Sequence, residues 1–439
     1  MTITIKLPKN WTTTKFKYFF ETSKGLSITK ENLSESGIPV ISYGQVHSKY
    51  GVKVDSSKDI LPFVSEDYLK YKQSLLNRGD YTFADTSEDI EGSGNFSTKL
   101  NDNGLLFAGY HTIIARLMDK ENNDFRYFMY LFASEWFRDQ VRNSVSGVKV
   151  FSITQAILKN TEVIVPSALT EQKAIADFLD GESVKFGKVA KLISDEIATL
   201  RAYKKSLIYE TVTKGLDKTA PLKDSGVDWI GEIPVGWEVG KLKYVAEIKG
   251  RIGFRGYTTE DIVDEGEGAV TLSPSNIQNS ELDLKKSTYI SWEKYVESPE
   301  IMVKENDILF VKTGSSYGKC CLIPKIDVPA TINPQLILIK SFAISAKYLN
   351  YIFQTDFISH QIENIVGGST IPTLSQENLS NMNLLLPSNL TEQQKIADYL
   401  DEKTKQVDDI ITIKEAQLSN LTKQCKSLIY DVVTGKKNM

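Results

Sequence analysis

The sequence predicts an α+β protein. Two mixed domains related by a pseudo-twofold are joined by two long helices packed as an antiparallel coiled coil. Three observations carry this reading. One block of the chain is written twice, at a fixed offset of 221 residues. Each copy carries apolar residues at seven-residue spacing. The segments ahead of the copies mix strand-length apolar runs with amphipathic helices, as α+β domains do.

The repeat is direct. Pro166-Ser-Ala-Leu-Thr-Glu-Gln-Lys-Ala-Ile-Ala-Asp-Phe-Leu-Asp180 returns as Pro387-Ser-Asn-Leu-Thr-Glu-Gln-Gln-Lys-Ile-Ala-Asp-Tyr-Leu-Asp401. The register runs without a gap to Lys205-Ser-Leu-Ile-Tyr209 and Lys426-Ser-Leu-Ile-Tyr430, with about 19 of 48 positions identical. Tyr127 and Tyr348, Tyr130 and Tyr351, and Gln140 and Gln361 keep it upstream. The starts of the halves match at an offset of 226: Pro8-Lys-Asn-Trp11 with Lys17-Tyr18, and Pro234-Val-Gly-Trp237 with Lys243-Tyr244. Between these anchors the halves diverge almost completely. The segments are therefore 1–165 (variable), 166–220 (conserved), 221–386 (variable) and 387–439 (conserved). A period above 200 residues marks duplicated domains, not a solenoid.

The conserved segments read as long helices. Thr170 and Thr391 are N-cap candidates, each followed by a glutamate that suits the helix dipole. Leu179, Phe186, Ile193, Leu200 and Leu207 fall at strict heptad spacing, with Ile175 and Val189 on neighbouring seam positions. The second copy has Leu400, Val407, Leu421 and Leu428, supported by Ile411, Leu418 and Cys425. Glu196 and Lys414 interrupt the stripes. Gly181 and Gly187 weaken the first helix by about 1 kcal/mol each relative to alanine. About 45 residues would span roughly 65 Å.

The variable segments carry strand-like runs from Pro39, Leu105, Thr112, Asp307 and Leu336. Each ends in an amphipathic helix, about 124–143 and about 346–365, the second capped by Ser345. Trp136, Phe137, Phe357 and Ile358 on these helices read as core. Gly147 and the Gly367-Gly368 pair then break the chain.

Composition excludes several classes. The 439 residues imply two to four domains at about 100–200 residues each. An apolar content of 41% with 25% charged residues is ordinary for a globular chain. No apolar run reaches the roughly 20 residues of a membrane helix. The opening Met1-Thr-Ile-Thr-Ile-Lys has no apolar signal core, so a cytoplasmic location is expected. Three cysteines make no disulfide framework, and with three histidines no metal-ligand spacing exists.

Two long helices whose apolar seams bury each other, with a domain copy attached to each, would meet two half-sites of a duplex at fixed spacing. Different domain sequences would give an asymmetric, two-part target. Trp229-Ile-Gly-Glu-Ile-Pro-Val-Gly-Trp-Glu, the segment Gly367-Gly-Ser-Thr-Ile-Pro-Thr-Leu-Ser-Gln, and both copies of Leu-Thr-Glu-Gln-x-x-Ile-Ala-Asp-x-Leu-Asp resemble a type I restriction-modification specificity subunit. The resemblance covers essentially the whole chain. It implies that 1–165 and 221–386 are target-recognition domains reading a bipartite site in double-stranded DNA. The helices then set the spacer and dock two modification (methyltransferase) subunits, which a restriction/translocase subunit joins. It also implies that S-adenosylmethionine belongs to the modification subunit and ATP with Mg to the restriction subunit, with no cofactor or catalytic residue on this chain. The first half lacks a counterpart of Gly226-Val-Asp-Trp-Ile-Gly. The alternative is a coiled-coil protein-interaction scaffold without DNA recognition.

The candidate DNA contacts are polar loops, each with a plainer reading beside it. Gln45 and His47 follow a strand in the first half; Asn276 and Gln278 lie similarly in the second. Amide side chains pair bidentately with adenine, and they also satisfy ordinary turns. Ser87 and Asn95 belong to loops that include the acidic cluster Asp85, Glu88, Asp89 and Glu91, read as surface and not as a metal site. Lys149 follows in the same half. Arg251 and Arg255 are the only arginines of 221–386 and read as guanine or phosphate ligands, or as a solvated hairpin. In Gly314-Ser-Ser-Tyr-Gly-Lys-Cys320 three residues separate the glycines and Cys follows Lys, so it departs from a nucleotide-binding loop. It offers Lys312, Ser315, Ser316, Tyr317 and Lys319 to DNA, or is a hairpin turn. Ser369 and Thr370 complete the set. Asn333-Pro-Gln lacks the second proline and the aromatic of the amino-methyltransferase signature, and reads as a strand lead-in.

Charge shapes the expectation. The net charge is -4, and 221–386 alone carries 15 basic and 21 acidic residues. Phosphate contacts must come from local loops, and the isolated chain should bind DNA weakly.

Overall fold

Each half of the chain closes on itself by pairing a strand near its start with its last strand. Trp11–Lys15 runs antiparallel to Glu162–Pro166, with Trp11 opposite Pro166 and Lys15 opposite Glu162. Glu238–Lys241 runs antiparallel to Asn383–Leu386. The computed structural model describes residues 7–48, 51–147, 149–227, 230–366 and 373–437. Ser369 and Thr370, and the Gly367-Gly368 break, lie outside them.

The chain forms two units, Met1–Ser194 with Ala416–Met439, and Asp195–Glu415. Each long helix contributes residues to both units. The helices are continuous over Leu169–Lys214 (46 residues) and Leu390–Val433 (44 residues). In the first unit, Ile175 and Leu179 from the start of one helix share a core with Val432 and Val433 from the end of the other. In the second unit, Ile208 and Val212 share a core with Ile396, Ala397 and Leu400. Within each unit the pairing is antiparallel, as expected.

Although the variable segments diverge in sequence, their strand orders match one for one. The first unit orders Phe20–Lys24, Thr112–Leu117, Tyr81–Ala84 and Phe96–Lys99, with Lys53–Val54 added at the edge. The second orders Ala246–Gly250, Leu336–Ser341, Ile308–Val311 and Cys320–Leu322. A second four-stranded sheet recurs as well. A parallel pair, Phe107–Ala108 beside Ile38–Ile41, corresponds to Ala330–Ile332 beside Gly268–Leu272. What repeats is the alternation of buried positions, and many side chains satisfy it. The first core is rich in aromatics, including Phe16, Phe20, Tyr81, Phe83, Phe128 and Phe132; the second is mostly aliphatic.

The heptad residues Leu179, Leu400 and Val407 are buried, and Phe186, Ile193, Leu200, Leu207, Leu421 and Leu428 are half-buried. Val189 is 43% exposed, contrary to its expected place on the seam, and Ala190 and Ile197 take that place. An unbroken period of 3.6 drifts against a strict heptad, which selects the next residue round. Glu196 and Lys414, which interrupt the stripes, meet each other at 2.6 Å. Nothing lies within 4 Å of a Cβ placed on Gly181 or Gly187, so neither glycine serves packing.

Capping differs from expectation. The helices begin at Leu169 and Leu390, so Thr170 and Thr391 lie inside the first turn. Asn389 accepts from the Glu392 amide at 2.9 Å and caps the second helix instead. Each expected amphipathic helix is two. Phe125–Ala133 is followed by Glu135–Arg142, and Ala346–Phe353 by Asp356–Val366. The breaks fall at Ser134 and Thr355, whose hydroxyls donate to Leu131 O and Ile352 O at 2.6 Å and so compete with the next helical bond. Phe137, Phe357 and Ile358 are buried and Trp136 packs against the first core.

Candidate nucleic-acid interface

A common set of hydrogen bonds fastens each variable domain to the helices. The Trp11 indole donates to Glu171 at 3.0 Å, and the Trp237 indole to Glu392 at 3.0 Å. Tyr130 donates to Asp180 at 2.7 Å, and Tyr351 to Asp401 at 2.8 Å. The Tyr127 phenol reaches Val433 O, and the Tyr348 phenol Val212 O, at 3.4 and 3.3 Å. Burial pushes both of the latter phenols well above the ordinary tyrosine range. Lys205 and Lys426 pair with Asp356 and Glu135 at equivalent positions, at 2.5 and 3.4 Å. The same fastening therefore underlies two loop sets that differ.

In the second unit the loops gather at one end of the first sheet. The turn 312–319 follows Ile308–Val311 and is closed by Gly318 N to Val311 O and Val311 N to Lys319 O, at 2.9 and 2.8 Å. It is the hairpin turn of the plainer reading, and it leaves Ser315 and Lys319 exposed, with Lys312, Ser316 and Tyr317 partly so. A cleft of about 180 Å³ brings Ser315 and Ser316 beside Ser273, Ser275 and Gln335, so two segments singled out in the sequence lie together. Gln278 stands exposed on the neighbouring hairpin and donates to Ser275 O at 3.0 Å. That hairpin turns through Asn279 and Ser280, at φ 51° and 64°. Two successive positive φ values define the type I′ turn. The hairpin tip, Tyr317 and Lys319 line an open cleft of about 770 Å³ together with Arg201, Lys204 and Lys205 of the first helix. Asn279, Ser280 and Arg201 are polar groups that sequence reasoning missed. The Gln-Asn-Ser-Glu turn between short strands was the available signal.

Two candidates are committed elsewhere. Arg251 is 5% exposed and donates to Ile332 O at 3.0 Å and Thr331 Oγ1 at 3.1 Å, and burial lowers its ordinarily high pKa. Buried Asn276 accepts from the Ser273 amide at 2.9 Å and donates to Asp283 O at 2.9 Å. Both hold loops in shape. Arg255 is half-buried and 3.5 Å from Glu300. Cys320 and Cys321 are buried, and burial pushes the Cys321 thiol up to about 12. Asn333 leads into the strand Leu336–Ser341, accepting from the Gln335 amide at 3.0 Å.

In the first unit a relay runs from the helix Glu135–Arg142 through Asn95 to the helix Tyr43–Ser48 and on to the strand Thr86–Ser87. Arg138 donates to Asn95 Oδ1 at 2.5 Å, Asn95 Nδ2 donates to His47 Nδ1 at 3.0 Å, and His47 Nε2 donates to Thr86 O at 2.7 Å. This order fixes the imidazole proton on Nε2. His47 and Asn95 therefore shape the loop end. Gln45 lies not in a loop turn but in the first turn of the helix Tyr43–Ser48, where it accepts from the Ser42 amide at 3.0 Å. Ser87 is buried in a strand pair with Phe151, just after exposed Lys149. Within the acidic cluster Asp85 lies 3.2 Å from His111, Asp89 accepts from the Gly92 amide at 2.5 Å, and Glu91 lies 3.3 Å from Arg142. Among the described residues no group of three or more His, Cys, Asp or Glu could hold a metal ion.

A duplicated α+β chain, with one scaffold under two unlike loop sets and helices threading both, is the architecture of a two-domain recognition protein. The family model for the type I restriction modification DNA specificity domain matches residues 8–185 and 234–423. The chain belongs to this family of type I restriction-modification specificity subunits, the component that confers DNA sequence specificity. It is 25% identical over 341 residues to the type I restriction enzyme MjaVIII specificity subunit of Methanocaldococcus jannaschii, covering 76% of each chain. It is 25% identical over 440 residues to the putative type I restriction enzyme MjaX specificity subunit of the same organism, covering 98% of this chain and 94% of that one. A chain of a solved type I R-M system, 16% identical, shares the fold at a TM-score of 0.71, covering 98% of this chain and 100% of its own length. Among the described residues no helix is long and apolar enough to cross a membrane.

Proposed function

We propose that this chain reads a bipartite, asymmetric site in double-stranded DNA, one half per unit, and carries two modification subunits and, through them, a restriction/translocase subunit. The observation that supports this most is the contrast within the repeat. The fastening bonds recur residue for residue, from Trp11–Glu171 and Trp237–Glu392 to Tyr130–Asp180 and Tyr351–Asp401. The loop ends share almost nothing. A scaffold for proteins alone has no use for that contrast; a reader of two different half-sites requires it.

In the second unit the reading surface would be Gln278, Asn279, Ser280, Ser315, Ser316, Tyr317 and Lys319, with Lys312 at the turn's base. Amides and hydroxyls would address base edges and the lysines phosphate. In the first unit, Lys149 and the loop ends around Asn95 would serve. The chain itself would be a cytoplasmic, non-catalytic reader. S-adenosylmethionine would be held by the modification subunit, and ATP with Mg by the restriction subunit. Co-expression with a modification subunit, followed by mapping of methylated bases on genomic DNA, tests this. A bipartite motif that disappears without this chain is expected. Partner binding with no sequence-specific methylation would favour the scaffold.

A further inference from the structure

Both units expose a tyrosine at the same place in a short repeated motif. Lys-x-Lys-Tyr-x-x-Glu occurs at 15–21 and again at 241–247, within segments that otherwise diverge. The intervening Phe16 and Leu242 are buried and account for themselves as core. Tyr18 and Tyr244 do not: they are 65% and 67% exposed. Lys17, Lys243, Glu21 and Glu247 are exposed too. Each tyrosine ring has the preceding lysine beside it, with Nζ 5.2 and 5.4 Å from the centroid. A single exposed aromatic is ordinary; its recurrence at the same place in two otherwise divergent segments, with the same lysine beside it, is what sets it apart.

The position argues against DNA. Tyr18 precedes Phe20, which pairs with Leu117, whereas the loop 85–95 follows Ala84, which pairs with Thr112 at the other end of that strand. Tyr244 precedes Ala246, opposite Ser341, whereas the turn 312–319 follows Val311, opposite Leu336. In both units the tyrosine stands about 17 Å along the sheet from the polar loops, at 3.3 Å per residue. Repeated glutamates beside it would also repel phosphate. Half-sites of different sequence call for different residues, whereas two copies of one protein call for the same residues twice.

We infer that Lys17-Tyr18 and Lys243-Tyr244 are the anchors of two equivalent docking surfaces, each taking one copy of the modification subunit. The partner surface would offer an apolar pocket for the phenol ring, rimmed by a carboxylate for the lysine. This rests on the proposed reading that two modification subunits bind.

The test is native mass spectrometry of the co-expressed complex. Wild type, Tyr18→Ala, Tyr244→Ala and the double variant are compared, with thermal melting of each chain as a fold control and Lys17→Glu as a second probe. The expected result is two subunits on wild type and an affinity loss of about 10-fold or more for one copy in each single variant. The double variant should lose both. Two copies held equally by all variants overturns the inference and leaves the function standing. Unchanged stoichiometry with weaker, less salt-dependent DNA binding assigns the patch to phosphate and overturns it as well. A wild-type chain that takes no modification subunit overturns both.

Discussion

The Tyr351 phenol donates to the Asp401 carboxylate at 2.8 Å and lies 3.2 Å from the Thr404 hydroxyl, tying the second variable domain to its helix. Tyr130, Asp180 and Ser183 repeat the arrangement in the first unit, at 2.7 and 3.2 Å. Removing the hydroxyl leaves a half-buried carboxylate one partner short. Tyr351→Phe should lose about 1–2 kcal/mol of stability, read from urea unfolding. A change below about 0.3 kcal/mol would mean that the bond is ornamental.

Asp180 also sets an acid limit. Burial raises its pKa, but hydrogen bonds from Tyr130 and Lys53, with the Lys53 and Arg126 charges, outweigh burial and hold it below 3.8. A folded-state pKa depressed below the unfolded one gives stability that is complete above the unfolded value. That stability is lost as pH falls below about 3.8, through the folded value. Asp180→Asn should therefore flatten the fall in stability on the acid side of that value, compared with wild type across pH 2–6. An unchanged slope would contradict the pairing.

Lys414 sits where the heptad stripe calls for an apolar residue, and its partner Glu196 is more exposed than it is. A pair this exposed contributes about 0–1 kcal/mol, whereas an apolar side chain at a half-buried seam position contributes about as much or more. Lys414→Leu is expected to raise the melting temperature by a few degrees. A fall would show that the ion pair sets helix register.

Arg251 separates shaping from reading. Its guanidinium satisfies Ile332 O and Thr331 Oγ1. Arg251→Ala should cost about 2–3 kcal/mol in stability and leave the recognised half-site as it was. Lys319→Ala should do the reverse: an unchanged melting temperature, with weaker DNA binding by the assembled complex and a shallower salt dependence. Differential scanning calorimetry and fluorescence anisotropy across salt concentrations check the two halves of this contrast.

The scaffold was legible because it is periodic and repeated. The 221-residue register aligned Tyr127, Tyr130 and Gln140 with Tyr348, Tyr351 and Gln361, while the bonds that these residues make emerged only from the structure. Side-chain fate in the loops was not legible. Arg251 and Asn276 look alike in sequence to Arg255 and Gln278, yet the first two are buried against backbone carbonyls brought from about 80 and 7 residues away. The helix breaks at Ser134 and Thr355 were hidden because apolar periodicity continues across them. Asn279 and Ser280 carried only the signal of a short polar run, and their positive φ values make the hairpin turn explicit.

Methylation mapping after a domain exchange tests the division of labour most directly. Segment 1–165 is replaced by the corresponding segment of another specificity subunit, and the chain is co-expressed with its modification subunit. One half of the methylated motif should change, while the other half and the spacer stay as they were. A change in both halves, or in neither, would contradict one reader per unit.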